Sequence, residues 1–457
     1  MPSVSEETAR WSAALSLNEI PAEVVAKARE HILDTIGVIF ATAAQDYGRK
    51  IRAGALALGG PGRAHILGAS DTTSPQAAAL ANGAMASALS YDDTHNATIV
   101  HVTAALLSAC LALGEELDSD GENFLAALIA GSELACRVGL AAPLQFHKRG
   151  WHPTGLFGAV GATYAACRLF GLDARATANA AGITGSFAAG IGQGMREGAE
   201  SPNLHAGWAA QAGIAAAILA KHGHTGPIQV FEGGSGFLRA HVQDPDYRFD
   251  FAAVTAGLGE RWEYRGISLK PYPAAHVIHS FLDAIFALYA EGLRAQDVKR
   301  ILCPIADYMI GVVCTPREKK VAPENEWQGR GSLQYSLAEA LVTGRLDGQS
   351  YRSGPGATRD AVRALAQKVE YEVDKTAQPG QFKGWVIVET NDGRRLERVE
   401  PYNRGSAERP LSAADIQKKF RDNSTPILGA RSTAVETAVA SLEGAGAVRR
   451  LAEACVP

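Results

Sequence analysis

Residues 207–222 read GWAAQAGIAAAILAKH, a run that is apolar on nearly every side of a helical wheel. A helix without a polar face has to be surrounded by other helices. Its density of Ala and Gly also implies close approach between helices, so the reading that follows is an all-helical region. Working outward, Pro21–Ala44 (PAEVVAKAREHILDTIGVIFATAA) opens with a proline suited to a first helical turn and repeats apolar residues every three or four positions. Comparable segments are expected at Ser74–Ser90, Ala104–Leu117, Glu122–Leu140, Gly155–Phe170 and Ala174–Ala189. No strand alternates with helix up to about residue 240, which argues against a dinucleotide-binding fold. The glycines of Gly190-Ile191-Gly192-Gln193-Gly194 lack a preceding strand and read as a loop.

The pattern changes after Trp262. Arg300–Ile305 and Tyr308–Cys314 read as short strands and Val369–Val373 alternates. Trp385–Thr390, Asn391-Asp392-Gly393 and Arg394–Val399 form a strong hairpin signal. Helices are expected between them at Ile278–Glu291, Ser336–Thr343 and Thr358–Gln367, and a turn at Ser350–Ala357. From Ser412, a fitting N-cap, the helical pattern returns through SAADIQKKFRDN and Ser432–Leu442. The expected fold class is therefore mainly α. A large all-helical domain is built from both chain ends, 1–265 plus 406–457, with an inserted smaller α+β domain at 266–405.

Composition narrows the function. A chain of 457 residues is long enough for two or three domains with sizeable cores. Lys and Arg number 44 against 48 Asp and Glu, for a formal net charge of −4, and the charges are dispersed. Neither nucleic acid nor an anionic membrane is expected as a partner. None of the six cysteines forms a C-x-x-C pair, so they read as reduced, buried thiols of a cytoplasmic protein. MPSVSEETARWSAAL carries Glu6, Glu7 and Arg10 where a signal peptide needs an apolar core.

Chemistry concentrates in a few stretches. Ala84–Ala105 (AMASALSYDDTHNATIVHVTAA) begins with small helical residues and then meets Asp92, Asp93, Thr94 and His95, with His101 just ahead of the next apolar run. Asp and Thr compete for backbone hydrogen bonds inside a helix, so the run reads as a helix end turning into a pocket. It reads equally as a helix C-terminus followed by capping of the next helix. Lys148–Thr154 (KRGWHPT) sets His152 before a Gly-rich helix whose N-terminus attracts anions, where His152 fits a cap as well as a catalyst. Ser201–Trp208 (SPNLHAGW) offers His205 at another helix start, a position that equally suits a structural histidine. Ser268–His276 (SLKPYPAAH) carries Lys270, Tyr272 and His276 on a loop stiffened by two prolines, where the two domains are expected to meet. Gly329–Ser336 (GRGSLQYS) brings Tyr335 to a helix start.

Taken in order, these stretches resemble the MmgE/PrpD family, which includes 2-methylcitrate dehydratase, cis-aconitate decarboxylase and iminodisuccinate epimerase. The resemblance runs through Ile32-Leu33-Asp34-Thr35-Ile36-Gly37, Tyr91-Asp92-Asp93-Thr94 with His101, Gly150-Trp151-His152-Pro153 and Leu204-His205-Ala206-Gly207-Trp208-Ala209-Ala210. It continues through Gly223–Pro227 with Val230–Gly233, Lys270–His276, Ser332-Leu333-Gln334-Tyr335 and Lys419-Phe420. It implies a helical domain with an α+β lid, a homodimer, small di- or tricarboxylate substrates, and neither metal nor organic cofactor. The family's site maps onto Asp92, Asp93, Thr94, His101, His152, Lys270, His276 and Tyr335. His101, His152, Lys270, His276 and Asp93 are the expected catalytic groups. Asp92, Thr94, His205, Tyr272 and Tyr335 are the expected substrate contacts.

The chemistry implied is removal of a proton or CO2 next to a carboxylate, which builds negative charge on an already anionic substrate. Fixed cations must stabilise that charge more than they stabilise the ground state. Lys270, His101 and His152 are suited to it. One histidine must also move a proton, while Asp92 or Asp93 could orient a histidine and fix its tautomer. Two departures stand out. Ser90 occupies a position that is acidic in many relatives, and Pro202 replaces a lysine three residues before the histidine of the L-H-x-G motif. The missing charge-assisted hydrogen bond would cost a bound carboxylate roughly 1.5–3 kcal/mol, unless Arg196 or Arg149 compensates. The expected function is a cofactor-independent lyase, a dehydratase or decarboxylase, acting on a small polycarboxylate. An epimerase using the same site and a non-catalytic carboxylate-binding protein are the alternatives.

Overall fold

The computed structural model describes residues 2–352, 356–378 and 381–457. Residues 353–355 of the turn expected at Ser350–Ala357 lie outside them. The protein is mainly α and divides into two compact units. The first comprises Met1–Ala88, Asp92–Ile267 and Ser412–Pro457, and the second Leu89–Tyr91 and Ser268–Leu411.

The first unit is helical. Its framework is α1 (Ala22–Ala43), α2 (Pro75–Ser87), α3 (Val102–Glu116), α4 (Gly121–Leu140), α5 (Pro153–Leu169), α6 (Leu204–Lys221) and, from the far end of the sequence, α7 (Ala413–Leu428). Helix α6 lies among α2, α3 and α5 with most of its length buried. Trp208, however, is 43% exposed, so the run is not covered on every side. Small residues allow the close crossing. A Cβ on Gly207 would stand 2.1 Å from the Leu80 carbonyl oxygen, so any larger side chain would force α2 and α6 apart. Helix α4 is long and apolar enough to cross a membrane, but 89% of its apolar window is buried inside the protein, as in a core helix. It also buries the ion pair Glu133–Arg137 (2.6 Å).

Two motifs far apart in sequence meet in this unit. Lys419 of α7 places Nζ 2.8 Å from Oδ1 and 2.9 Å from Oδ2 of Asp34 in α1. One turn further along α1, a Cβ on Gly37 would lie 3.2 Å from the Phe420 Cα. Ser412 caps α7 by accepting from the Asp415 N–H at 3.1 Å, while the Asp415 carboxylate accepts from the Ser412 N–H, a reciprocal capping box.

The second unit carries a four-stranded sheet of β1 (Val298–Ile305), β2 (Val369–Val373), β3 (Gly384–Thr390) and β4 (Arg395–Glu400), in the order β2-β1-β3-β4. Strands β1 and β2 are parallel, with Ile301 opposite Val369, whereas β1–β3 and β3–β4 are antiparallel. The β3–β4 turn is the expected Asn391-Asp392-Gly393, with Gly393 at φ +88°. The His279–Ala290 helix packs on this sheet so closely that a Cβ on Gly384 would stand 2.3 Å from the Ser280 carbonyl carbon.

Two elements depart most from the sequence reading. Tyr308–Cys314 is not a strand: Asp307–Val313 is a helix. Met309 and Val313, four apart, are buried, whereas Val312 between them is 60% exposed. That is helical periodicity, which a seven-residue apolar run discloses poorly. The helix expected to reach Ala189 ends at Thr184.

Candidate functional site

Three long helices of the first unit begin with histidines. His101 is the N-cap of α3 and His152 the N-cap of α5, each with extended backbone and neither capping through its side chain. His205 sits in the first turn of α6. Local sequence explains the arrangement. Pro153 biases His152 away from helical geometry and needs no N–H partner at the first helical position. Residues 95–100 form a tight loop closed by His95 N to Val100 O (2.9 Å) and Ile99 N to His95 O (2.8 Å). Within it, Ile99 is held at φ +55°, an uncommon backbone for a β-branched residue. The loop delivers His101, whose N–H donates to Thr154 Oγ1 at 3.0 Å, tying the start of α3 to that of α5.

The three rings form a row, with His101 and His152 centroids 5.8 Å apart and His152 and His205 centroids 5.0 Å apart. His101 Nδ1 is 2.8 Å from the backbone carbonyl oxygen of Asp93 and 3.0 Å from Thr94 Oγ1. A carbonyl can only accept, so this partner assigns the proton to Nδ1 and leaves Nε2 with the lone pair of the neutral ring. The Asp92 carboxylate lies 3.8 Å from the same nitrogen. His152 Nδ1 meets His205 Nδ1 at 2.8 Å. Burial pushes His205 down to about 4, so at neutral pH it is uncharged and able to accept the His152 Nδ1 proton. Burial, followed by the charge of His101, pushes the neighbouring His147 down to about 4 as well.

Asp93 points elsewhere. Its carboxylate is fully buried and accepts from His31 Nδ1 (2.6 Å), from the Thr103 N–H (3.0 Å) and from the Thr103 hydroxyl. Burial works to raise its pKa, but the His31 and Thr103 hydrogen bonds outweigh burial and hold the carboxyl below its usual range. At Asp34 the balance is opposite, and burial raises the pKa against the pull of Lys419.

A glycine loop shapes the far side of the row. The His152 N–H donates to Gly190 O (2.9 Å), Gly192 N–H donates to Gly150 O (2.6 Å), and Trp151 bridges Ile191. A Cβ on Gly190, which sits at φ +146°, would lie 3.3 Å from the His205 ring, and one on Gly155 would lie 2.1 Å from Ala189 O. The Gly190–Gly194 loop therefore clamps the His152 turn. His31, Thr103, Thr154 and His147 were not singled out from sequence. Thr103 and Thr154 lie inside stretches quoted above without a role of their own, and only position beside a motif marks His31, which precedes Ile32–Gly37, and His147, which precedes Lys148–Thr154.

The first unit thus brings together Asp92, Asp93, Thr94, His101, His152 and His205. The second unit holds the other expected residues. Lys270 is 1% exposed, on a loop where Leu269 N–H donates to Gly405 O (3.0 Å). Tyr272 donates its hydroxyl to Asp283 Oδ1 (2.9 Å), and burial raises the pKa of both groups. His276 Nε2 accepts from the Asn403 amide at 3.0 Å, which assigns its proton to Nδ1. The Ala275 N–H donates to Arg330 O (2.9 Å), linking this loop to the turn before Tyr335, whose ring stacks on Tyr351 at 6.3 Å. Among the described residues no group of three His, Cys, Asp or Glu side chains is placed to hold a metal ion. All six cysteines are buried and unpaired.

Comparison with known proteins gives the arrangement its context. A cis-aconitate decarboxylase-like protein of Aspergillus oryzae is 28% identical, over 98% of this chain and 96% of its own length. Cis-aconitate decarboxylases of Aspergillus terreus and Homo sapiens are each 27% identical, over 90% and 94% of this chain and 86% and 89% of their own lengths. The family model for the MmgE/PrpD N-terminal domain matches residues 6–250 and that for the MmgE/PrpD C-terminal domain matches residues 272–443. The chain belongs to the MmgE/PrpD family.

Proposed function

We propose that the protein is a lyase that removes CO2 or water from a small polycarboxylate of the cis-aconitate class, with His101 and His152 as its proton-transfer groups. The similarity to cis-aconitate decarboxylases supports lyase chemistry. The observation that supports the assignment is that both rings have Nδ1 held, His101 by the Asp93 carbonyl and His152 by His205, the arrangement that proton transfer through Nε2 would use.

In a decarboxylation the C–C bond to the departing carboxylate breaks and CO2 leaves. The electron pair stays on the substrate as a carbanion delocalised into a neighbouring carboxylate, and an imidazolium Nε2–H protonates the carbon. In a dehydration one neutral Nε2 takes the proton next to the carboxylate and the other ring, as imidazolium, protonates the departing hydroxyl. Either way negative charge develops, and the N-terminal ends of α3 and α5 contribute partial positive charge beside the rings. Lys270 is proposed as a cation for a substrate carboxylate, supported by its burial and by the motif Lys270–His276. Asp93, with its carboxylate committed to His31 and Thr103, supports the turn rather than touching substrate.

The test is to incubate purified protein, without added metal, with cis-aconitate, 2-methylcitrate and related di- and tricarboxylates in heavy water and to identify products by NMR. Loss of CO2 or water with a solvent deuteron fixed in the decarboxylated product is expected. Deuterium exchange without loss of either would instead identify an epimerase. Ligand-induced melting shifts without any product would identify a binding protein.

A further inference from the structure

Beneath the Asp92–Thr94 turn lies a second histidine–carboxylate pair that the proposed chemistry does not use. His31 of α1 and Asp93 are 1% and 0% exposed, and His31 Nδ1 stands 2.6 Å from Asp93 Oδ2. The pair is enclosed. The Tyr264 ring meets His31 edge-on with centroids 5.8 Å apart, and the Asp34 carboxylate nearby is neutralised by Lys419. Both side chains are shielded from solvent. Three donors on one carboxylate, His31 Nδ1, Thr103 N–H and Thr103 Oγ1–H, fix the Asp93 side chain. The same residue's backbone carbonyl is the nearer acceptor for His101 Nδ1, at 2.8 Å against 3.0 Å for Thr94 Oγ1.

From this geometry we infer that His31 is a positioning residue: by holding the Asp93 side chain it holds the Asp93 carbonyl on His101 Nδ1, and so keeps His101 in the tautomer that presents Nε2. The inference rests on the reading of His101 as a proton-transfer group. The physical reason is that an isolated neutral imidazole populates both tautomers, and only a fixed acceptor selects one. Rotation of the Asp93 peptide by a few tens of degrees would remove that acceptor. His31 and Thr103 are the groups that oppose such a rotation from the side-chain end.

The experiment is long-range proton–nitrogen NMR of the protein labelled with nitrogen-15 at histidine, with the His101 signals assigned by their loss in His101→Gln. Wild type should show a neutral His101 protonated at Nδ1. His31→Phe keeps a ring but has no donor, and should give a mixture of His101 tautomers. Its kcat should fall about tenfold or more with KM within about twofold. His31→Gln, whose amide can still donate to Asp93, should recover most of the wild-type tautomer and rate. If His31→Phe does not fold, Thr103→Val gives the same readout and should move it in the same direction by less. A His101 spectrum and kcat unchanged in His31→Phe, or in Thr103→Val where that is the variant that folds, would overturn the inference. Full turnover by His101→Gln would instead defeat the functional reading, and the tautomer spectrum would still decide the role of His31.

Discussion

His152 and His205 meet Nδ1 to Nδ1 at 2.8 Å, and only one of them can supply the proton between them. With His205 held neutral by burial, the proposed chemistry uses the pair as a base supporting an acid, with His205 in the place that a carboxylate often takes. Replacing His205 by Leu removes the acceptor that stabilises a charged His152. The alkaline limb of the kcat/KM profile, which reports His152 as an acid, should then move to lower pH. His205→Asn, which retains an acceptor, should restore part of the shift. A pH–rate series on the three proteins checks this, and an unmoved limb would remove His205 from the proton path.

Two buried histidines should make the protein sensitive to acid. His147 and His205 have folded pKa values depressed to about 4, against about 6.5 in the unfolded chain. A depressed value means that the unfolded chain binds more protons between those limits. Stability is therefore full above about pH 6.5 and is lost as pH falls toward 4, by at most about 1.4 kcal/mol per pH unit for each ring. Melting temperatures measured from pH 7.5 to 4.5 should fall more steeply for wild type than for His147→Phe, and equal slopes would contradict the buried, neutral state of that ring.

Much of the helical framework was legible because it depends on periodicity. Pro21–Ala44 and Glu122–Leu140 emerge within a residue or two as α1 and α4, and Val369–Val373 and the Asn391-Asp392-Gly393 hairpin as strands and turn. Gly190–Gly194 carried no such signal. Its function as a clamp on the His152 turn depends on a backbone pairing across about forty residues and on room beside His205, neither of which a local pattern encodes. His31 was hidden for the same reason. On α1 it is one polar residue facing inward, and only the fold brings it to Asp93. The reading of Tyr308–Cys314 failed where a short apolar run fits both periods.

The Asp34–Lys419 pair should behave as a buried ion pair. Lys419→Met leaves the Asp34 carboxylate without its counter-charge and should cost about 3–5 kcal/mol. Asp34→Leu in the same chain should recover a substantial part of that loss, because both charges are then gone. Chemical denaturation of the single and double variants tests the pair. Equal stability of wild type and Lys419→Met would show that it contributes nothing.

Lys270→Ala should abolish turnover while leaving the melting temperature within a few degrees, if the lysine serves the substrate's charge. Added alkylamine should restore part of the rate. An active Lys270→Ala protein would remove this residue from the proposed chemistry.

The most direct test of the central claim is the initial rate of CO2 or water release by His101→Gln, relative to wild type, on whichever polycarboxylate the wild type consumes. Loss of a proton-transfer group predicts a fall of about a hundredfold or more in a protein that melts normally. A rate within about twofold of wild type would contradict the assignment of His101 as a group that moves the proton.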